Sequence, residues 1–383
     1  MPDRSRSETM AASILILSNS DSGLYDFRKE VLLKLLGKGY QVQVSVPDTG
    51  HVDKIRALGC EIIPTSFDRR GMNPFQDLKL FGFYLGLLRS RRPEAVFTYT
   101  IKPNIYGGLA ARLIRIPCLS NITGLGTTLE HEGPLQKLIL MMYRTALKKA
   151  ACVFFQNQGN RAYLLSRGCI TGKTRVIPGS GVNLSEHCAA AYPDEAQPVR
   201  FLSIMRLMKD KGIEELLEAA GRVHEKHPEV EFGLLGAYEE ESRARYEPQV
   251  AALEKAGALR YYGYRDDVPR FLAECQAVVH PSYHEGMSNV LLEAAATARP
   301  VLASAVEGCL DTFQDGVSGI SFPAQSAEGL VEALERFLAL SYEERRRMGE
   351  RGREYVEQRF DRTLVVDAYM EELEIAVSQR KKR

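Results

Sequence analysis

No apolar run in this 383-residue sequence approaches the roughly 18 residues that a membrane-spanning helix needs. The opening stretch, MPDRSRSETMAAS, has no apolar core and does not read as a signal peptide. Residues 1–12 are expected to be a disordered lead-in. Net charge is scarce too: 50 Lys and Arg against 49 Asp and Glu leave +1, so no global field selects nucleic acid as a partner. The seven cysteines are scattered and include no C-x-x-C pair, which argues against a disulfide framework or a zinc site and for a reducing cytosol. No D-x-D pair of the metal-dependent kind occurs, so neither a divalent ion nor another cofactor is expected. What remains is 45% hydrophobic and 26% charged, the balance of a soluble globular protein long enough for two to three domains.

The stretch with most chemistry in it is HPSYHEGMSNVLLEAAATARPV, His280 to Val301. The apolar run Ala277–Val279 before it suits a buried strand, and Asn289–Ala298 behind it is rich in helix formers. Pro281, Ser282 and Gly286 supply the loop between them. A helix that starts straight after such a loop offers unpaired N–H groups and the positive end of its dipole, a ready anion site. Gly286, Met287, Ser288 and Asn289 would line it. Glu285 lies in the loop and Glu293 in the helix. Eight helical residues rise about 12 Å, too far for two carboxylates to share one ion. They suit opposite ends of one elongated ligand, such as a nucleotide sugar whose phosphates sit on the helix start. His280 and His284 flank the loop, and a structural or hydrogen-bonding role fits them better than metal ligation. An ordinary amphipathic strand–helix unit with two solvated glutamates remains the plain alternative.

Strands and helices alternate along the whole chain. Ser13–Ser18, Gln41–Val46, Glu61–Pro64, Ala95–Tyr99 and Cys118–Ile122 read as strands, with helical spacing over Tyr25–Gly39, Val52–Leu58 and Phe75–Arg92. The pattern restarts at Arg200–Ile204. This means an α/β fold with parallel sheets, whose ligand crevice lies beyond the carboxyl ends of the strands. The expected divisions are 13–183, a linker over 184–198, a second domain over 199–360, and a terminal helix with a basic tail over 361–383. Gly23, after the first strand, is a candidate for close approach of backbone to ligand, or a plain turn. In the helix Leu135–Ala150, Lys137, Arg144 and Lys148 share one face, with Leu138, Met142 and Leu147 elsewhere. It reads as a membrane-surface helix or as a domain helix with a solvated basic face.

Glu285-x7-Glu293, with PS before it and ARPV after it, resembles the signature of retaining GT-B glycosyltransferases of family 4. MRLMKDKGI, Met205–Ile213, is similar to the G-R-L-x-x-x-K-G-[IL] of that family, with Met205 for Gly. DRRGMNP, TIKPNIYGG and NITGLG resemble one branch of it, which builds bacterial capsule and lipid-linked oligosaccharides and includes the N-acetylgalactosaminyltransferase of the bacterial N-glycan pathway. The resemblance implies two Rossmann-like domains facing across a cleft, with the last helix crossing back to the first. It implies that Glu285 meets the donor sugar, Glu293 the ribose, and Arg206 and Lys211 the diphosphate. Tyr264 and Arg265 would lie at the nucleobase. Asp21, Lys102, Asn104 and Thr123 would stand on the acceptor side. Two departures stand out: Leu310 replaces a cation in Glu307–Thr312, and Arg299 replaces a common glycine, read as a surface matter.

The implied activity is transfer of a sugar, an N-acetylhexosamine such as GalNAc, from a UDP-sugar to a saccharide on undecaprenyl diphosphate. The anomeric configuration is retained and no metal takes part. The implied place is cytoplasmic, on the anionic inner face of the plasma membrane. The alternatives are a UDP-sugar 2-epimerase, which needs no acceptor, and a non-catalytic nucleotide-sugar-binding protein.

Overall fold

The computed structural model describes residues 12–65, 73–125 and 133–382. All but the last residue of the expected lead-in, most of the DRRGMNP loop and the last glycine of NITGLG lie outside the described residues. The chain forms two compact units, one up to Ile177 together with Thr363 onward, the other Pro178–Arg362.

The first unit holds seven strands: β1 (Ser13–Leu17), β2 (Gln41–Val46), β3 (Glu61–Pro64), β4 (Ala95–Tyr99), β5 (Cys118–Ile122), β6 (Cys152–Phe155) and β7 (Thr174–Val176). They pair in parallel in the order 3-2-1-4-5-6-7. Alternation along each strand sorts the side chains onto two faces. Ile14, Ile16, Phe97 and Phe154 face the helix Asp21–Gly37 and the terminal helix Arg362–Lys381. Leu15, Leu17, Val96, Val153 and Phe155 face the helices Pro74–Arg91, Gly108–Ile114 and Pro134–Leu147. Tyr369 on the terminal helix is fully buried, edge-on to Phe97 and Phe154 at 5.9 and 4.6 Å. The chain therefore ends in its first unit, as expected.

The second unit repeats the plan with β8 (Arg200–Ile204), β9 (Glu231–Leu235), β10 (Arg260–Gly263), β11 (Ala277–His280), β12 (Val301–Ser304) and β13 (Gly319–Phe322). Its parallel order is 10-9-8-11-12-13. In each sheet the order reverses once, between β1 and β4 and between β8 and β11. Loops leaving such a pair diverge and leave a crevice.

Three sequence expectations need correction. The first helix starts at Asp21, not Tyr25, because Ser20 caps it: its Oγ accepts from Gly23 N at 3.0 Å. Residues 184–198 lie within the second unit. The reason is Arg299, which is not on the surface but fully buried. Its guanidinium donates to six carbonyls, those of Leu272, Ala273, Thr297, Ala298, Ala190 and Ala191, at 2.7–3.3 Å. Two of them belong to the expected linker, which is thereby fastened to the unit. Arg299→Met should lower the stability of the fold on the order of 3 kcal/mol, since several buried carbonyls lose a charged donor. Denaturant unfolding checks this, with an unchanged midpoint counting against the role given to Arg299.

Candidate active site

The reversal between β8 and β11 is where the second unit concentrates its polar chemistry. The exit loop of β8 runs from Met205 to Lys211 and ends in a short turn, Lys209–Lys211. The exit loop of β11 runs from Pro281 to Ser288. The two are bolted together. Tyr283 N donates to Asp210 O at 3.0 Å, and Ser304 Oγ, at the end of β12, donates to Ser282 O. Glycine is required at two places in this clasp. Gly212 has φ +75, and a Cβ there would stand 2.1 Å from Pro281 O. A Cβ on Gly308 would stand 2.2 Å from Glu285 O. The K-G of the first motif and the E-G of Glu307–Gly308 thus allow backbone to touch backbone.

Inside the clasp, Lys211 Nζ lies 2.6 Å from Glu285 Oε1, and His280 Nε2 lies 2.9 Å from the same oxygen. Both members of the ion pair are mostly buried, with side-chain exposures of 20% and 15%. Burial pushes the Glu285 carboxyl up, but the hydrogen bond and charge of His280, then Lys211, outweigh it and hold the group down at about 2. It is a carboxylate at any pH near neutrality, an acceptor and a fixed negative charge rather than an acid. His280, the last residue of β11, is itself buried, and its Nδ1 has no partner among the described residues. The hydrogen-bonding role expected of His280 is the one it has, with Glu285 as its partner. Its place at the strand end, five residues before Glu285, was the available signal.

The helix Asn289–Ala296 follows, capped by Ser288, whose Oγ accepts from Leu291 N at 3.5 Å. Its first N–H groups have no acceptor within the helix. Asn289 Oδ1 is buried beside them, with no hydrogen-bond partner among the described residues. Glu293 stands one turn further on, half-buried. Met287, expected at the donor, is packed instead: its side chain is buried in a small core with Val182, Leu292 and Phe360, and closes on Gly179. Gly286 stays half-buried in the loop. Arg206 is about half exposed and ion-paired to Glu239, in the segment that follows β9. Tyr264 and Arg265 follow β10, two strand spacings or about 10 Å from β8. Tyr264 is exposed, and Arg265 grips Asp267 in a two-pronged bond at 2.8 and 2.9 Å. Among the described residues no group of three His, Cys, Asp or Glu converges to hold a metal.

The candidates of the first unit fare differently. Asp21 is fully buried, and both its oxygens are taken, by Thr49 and by the backbone of Ser22, Thr49 and His51. Burial raises its carboxyl, but these bonds outweigh it and leave it below its ordinary range. It fastens the loop after β2 and has no valence left for an acceptor. Asn104 is buried as well, bridging Thr98 Oγ1 and Asn121 O at 2.7 Å each, and so joins a π-helical turn to β4 and β5. Both residues are structural, against expectation. Lys102 pairs with Asp77 at 3.0 Å, mostly buried. Thr123 is half-buried just past β5. Gly23 sits in the first turn of its helix, with its N–H given to Ser20, and not in a loop.

Residues 190–355 match the family "Glycosyl transferases group 1", and residues 13–157 the family "Glycosyl transferase 4-like". A Campylobacter jejuni protein, N,N'-diacetylbacillosaminyl-diphospho-undecaprenol alpha-1,3-N-acetylgalactosaminyltransferase, is 28% identical over 84% of this chain and 88% of its own. An Escherichia coli protein, UDP-Gal:alpha-D-GlcNAc-diphosphoundecaprenol alpha-1,3-galactosyltransferase, is 25% identical over 74% and 75%. Anabaena HepE, solved in complex with UDP and glucose, superposes with a TM-score of 0.77 at 17% identity, covering 95% of this chain and 99% of that one. Nothing in these comparisons supports the epimerase alternative.

The depressed carboxyl of Glu285 has a measurable consequence. A carboxyl whose folded value falls from an ordinary 4.5 to about 2 stabilises the fold above pH 4.5, and that stabilisation is lost as pH falls through about 2. Glu285→Gln removes the titrating group. The stability gap between parent and variant should therefore change between those two pH values and stay constant above them. Acid unfolding followed by circular dichroism checks this. A gap that first changes near neutrality would mean that Glu285 is not held as a carboxylate.

Proposed function

This chain belongs to the glycosyltransferases, group 1 by its second half and 4-like by its first, with the two-domain α/β architecture called GT-B, and we propose that it moves a sugar from a UDP-sugar to a saccharide carried on undecaprenyl diphosphate. The sugar we assign is an N-acetylhexosamine such as N-acetylgalactosamine, and the setting is bacterial surface-glycan or glycoprotein-glycan assembly. The Campylobacter and Escherichia coli relatives support the lipid-linked acceptor through the substrates in their names. The observation that carries the reading is the convergence of Lys211, Glu285 and the start of the helix Asn289–Ala296 at the reversal of the second sheet. That crevice offers cations and N–H groups to a diphosphate and a fixed carboxylate to a sugar.

In the proposed reaction the bond between the anomeric carbon and the diphosphate oxygen breaks, and its electron pair leaves with UDP. The acceptor hydroxyl forms the new bond on the face the diphosphate vacates, so configuration is retained. Its proton passes to a phosphate oxygen. Lys211, Arg206 and the helix start stabilise the charge growing on the leaving group. Glu285 already accepts from two donors on one oxygen and stays ionised. Its fitting task is to accept from a sugar hydroxyl and fix the ring, while Glu293 holds the ribose. The acceptor confines the work to a membrane surface, the inner face of the plasma membrane. The attachment we assign there is peripheral, and no helix among the described residues is long and apolar enough to cross a membrane.

The test is a panel of UDP-sugars offered with short polyprenyl-diphosphate saccharides, read by mass spectrometry. One added hexosamine is expected, with none formed when the acceptor is omitted. Conversion of the UDP-sugar without any acceptor would mean an isomerase.

The two glutamates should separate. Glu293→Ala is expected to weaken UDP itself roughly tenfold, the size of one or two lost hydrogen bonds. Glu285→Ala should leave UDP binding within about twofold and cut kcat by roughly a hundredfold or more, as for a group that acts on the reacting centre. Titration calorimetry with UDP and steady-state rates decide, and equal effects of both variants on UDP would refute the division.

Charge stabilisation by Lys211, Arg206 and a helix start also means that chelation should not matter. Turnover in EDTA is expected to stay near that of the untreated enzyme. Loss of most activity, restored by Mn²⁺ or Mg²⁺, would show that a metal shares the task.

A further inference from the structure

Glu285 accepts both of its hydrogen bonds on one oxygen. Lys211 Nζ and His280 Nε2 reach Oε1 at 2.6 and 2.9 Å, and among the described residues no bond falls on Oε2. A carboxylate held in this way has one oxygen left to offer a ligand, and its two donors decide where that oxygen points.

The two donors are not alike. Lys211 ends the short turn Lys209–Lys211 and reaches Glu285 over a flexible four-carbon stem. Its Nζ also lies 3.4 Å from Ser282 Oγ. It is the cation assigned above to the diphosphate. As negative charge grows on the leaving group, its hold on Oε1 is divided between two anions. His280 has no second claimant. It is the last residue of β11, in register with Ala303 of β12, and its side chain is 3% exposed. An imidazole at the end of a buried strand has few torsions to change and no room to change them.

The backbone between His280 and Glu285 is fastened as well. Ser282 O accepts from Ser304 Oγ, Tyr283 N donates to Asp210 O at 3.0 Å, and Tyr283 Oη donates to Glu215 Oε1 at 2.7 Å. The chain thus leaves β11, is held at Ser282 and Tyr283, and brings the Glu285 carboxylate back to the strand end it left.

An ionised carboxyl can only accept, so the hydrogen of the shorter path between them sits on His280 Nε2. The other ring nitrogen, Nδ1, is buried with no partner among the described residues. The ring therefore makes one hydrogen bond, and makes it to Glu285. Burying a polar nitrogen without a partner is unfavourable, and an apolar side chain of similar size would fill the position without that cost. Stability alone does not account for an imidazole here.

We propose that His280 is a positioning residue, which holds Oε1 of Glu285 while the glycosidic bond breaks and so keeps Oε2 presented to the donor sugar. This rests on the reading that Glu285 accepts from a sugar hydroxyl. His280 touches no reacting atom and acts through Glu285 alone. Lys211 can then follow the leaving group without releasing the carboxylate.

Three rate measurements separate positioning from packing. His280→Leu removes the donor and keeps the position filled. It should lower kcat about ten- to hundredfold, the size expected when a reacting group is misplaced by about an ångström, and leave UDP affinity within about twofold. His280→Gln carries an N–H donor the same number of bonds from Cα as Nε2, and should return kcat to within about fivefold of the parent. In a Glu285→Ala background, His280→Leu should cost less than about twofold more, because the group it acts through is gone. Steady-state rates and calorimetry with UDP read all three.

A fourth measurement needs no turnover. Burial raises the Glu285 carboxyl, and His280 is the foremost of the partners that bring it down to about 2, ahead of Lys211. The other titratable group against it is the thiol of Cys309, on the helix Glu307–Leu310, which burial pushes up. A less depressed carboxyl contributes less stability above pH 4.5 and loses it at a higher pH as acid is added. In a His280→Leu background, the pH window over which Glu285→Gln changes stability should therefore have its lower edge moved up from about 2 toward 4.5.

Equal losses of kcat with and without Glu285 would overturn the proposal. So would His280→Gln no faster than His280→Leu, or a window that does not move. UDP affinity that falls in step with kcat would also overturn it, since His280 would then only shape the donor loop. The functional reading fails differently. A parent that transfers no sugar, or Glu285→Ala as fast as the parent, would refute that reading, and the pH window would still decide whether His280 holds the carboxylate.

Discussion

The carboxylate of Glu285, held between Lys211 and His280, is the interaction on which the second unit depends. Placing an ionised carboxyl in a mostly buried site is unfavourable unless cations and donors surround it, and removing one partner would leave an uncompensated charge. The loops must therefore approach until Nζ and Oε1 are 2.6 Å apart. That approach leaves no room for a Cβ at Gly212 or Gly308, and it is held by the bond from Tyr283 N to Asp210 O. Sheet topology supplies the rest. Only where the strand order reverses do neighbouring exit loops leave a crevice, and β8 and β11 are that pair.

How much of this could be read in advance depended on what kind of constraint each residue answers to. The alternation of strands and helices was legible because burial imposes period two on strands and three to four on helices, and both sheets formed as expected. Lys211 and Glu285 were singled out by their resemblance to two family motifs, whereas the ion pair between them, 74 residues apart in sequence, was not announced by either motif. Arg299 was not legible, since nothing local announces that six carbonyls from three segments converge on it. Asp21 and Asn104 were misread for a related reason. A polar residue just past a parallel strand looks the same whether it awaits a ligand or ties down its own backbone. Here the backbone of Thr49 and His51 and the carbonyl of Asn121 were the partners, and none is near in sequence.

The two units put their polar groups to opposite uses. In the first, the polar residues at the strand ends are consumed internally: Thr98, Asn104 and Asn121 bond to one another, and Asp21 closes a loop. In the second, charged groups are gathered at the crevice. That gathering suits the small, highly charged donor proposed for this chain.

The ion pair also bears on how binding energy would become rate. Lys211 is ion-paired to Glu285, and Arg206 to Glu239. In the proposed reaction an arriving diphosphate meets cations whose positions are already fixed by these pairs. As the glycosidic bond of the proposed reaction breaks, negative charge builds on the leaving oxygen, and the pull of Lys211 on it grows. Positive charge builds at the same time on the sugar ring, which the fixed carboxylate of Glu285 favours. Each partner of the pair thus has more to gain from the separating transition state than from the intact donor. An interaction that strengthens only as the bond breaks raises kcat rather than merely tightening binding, and in the proposed reaction a preassembled, oppositely charged pair would do so without reorganising the protein.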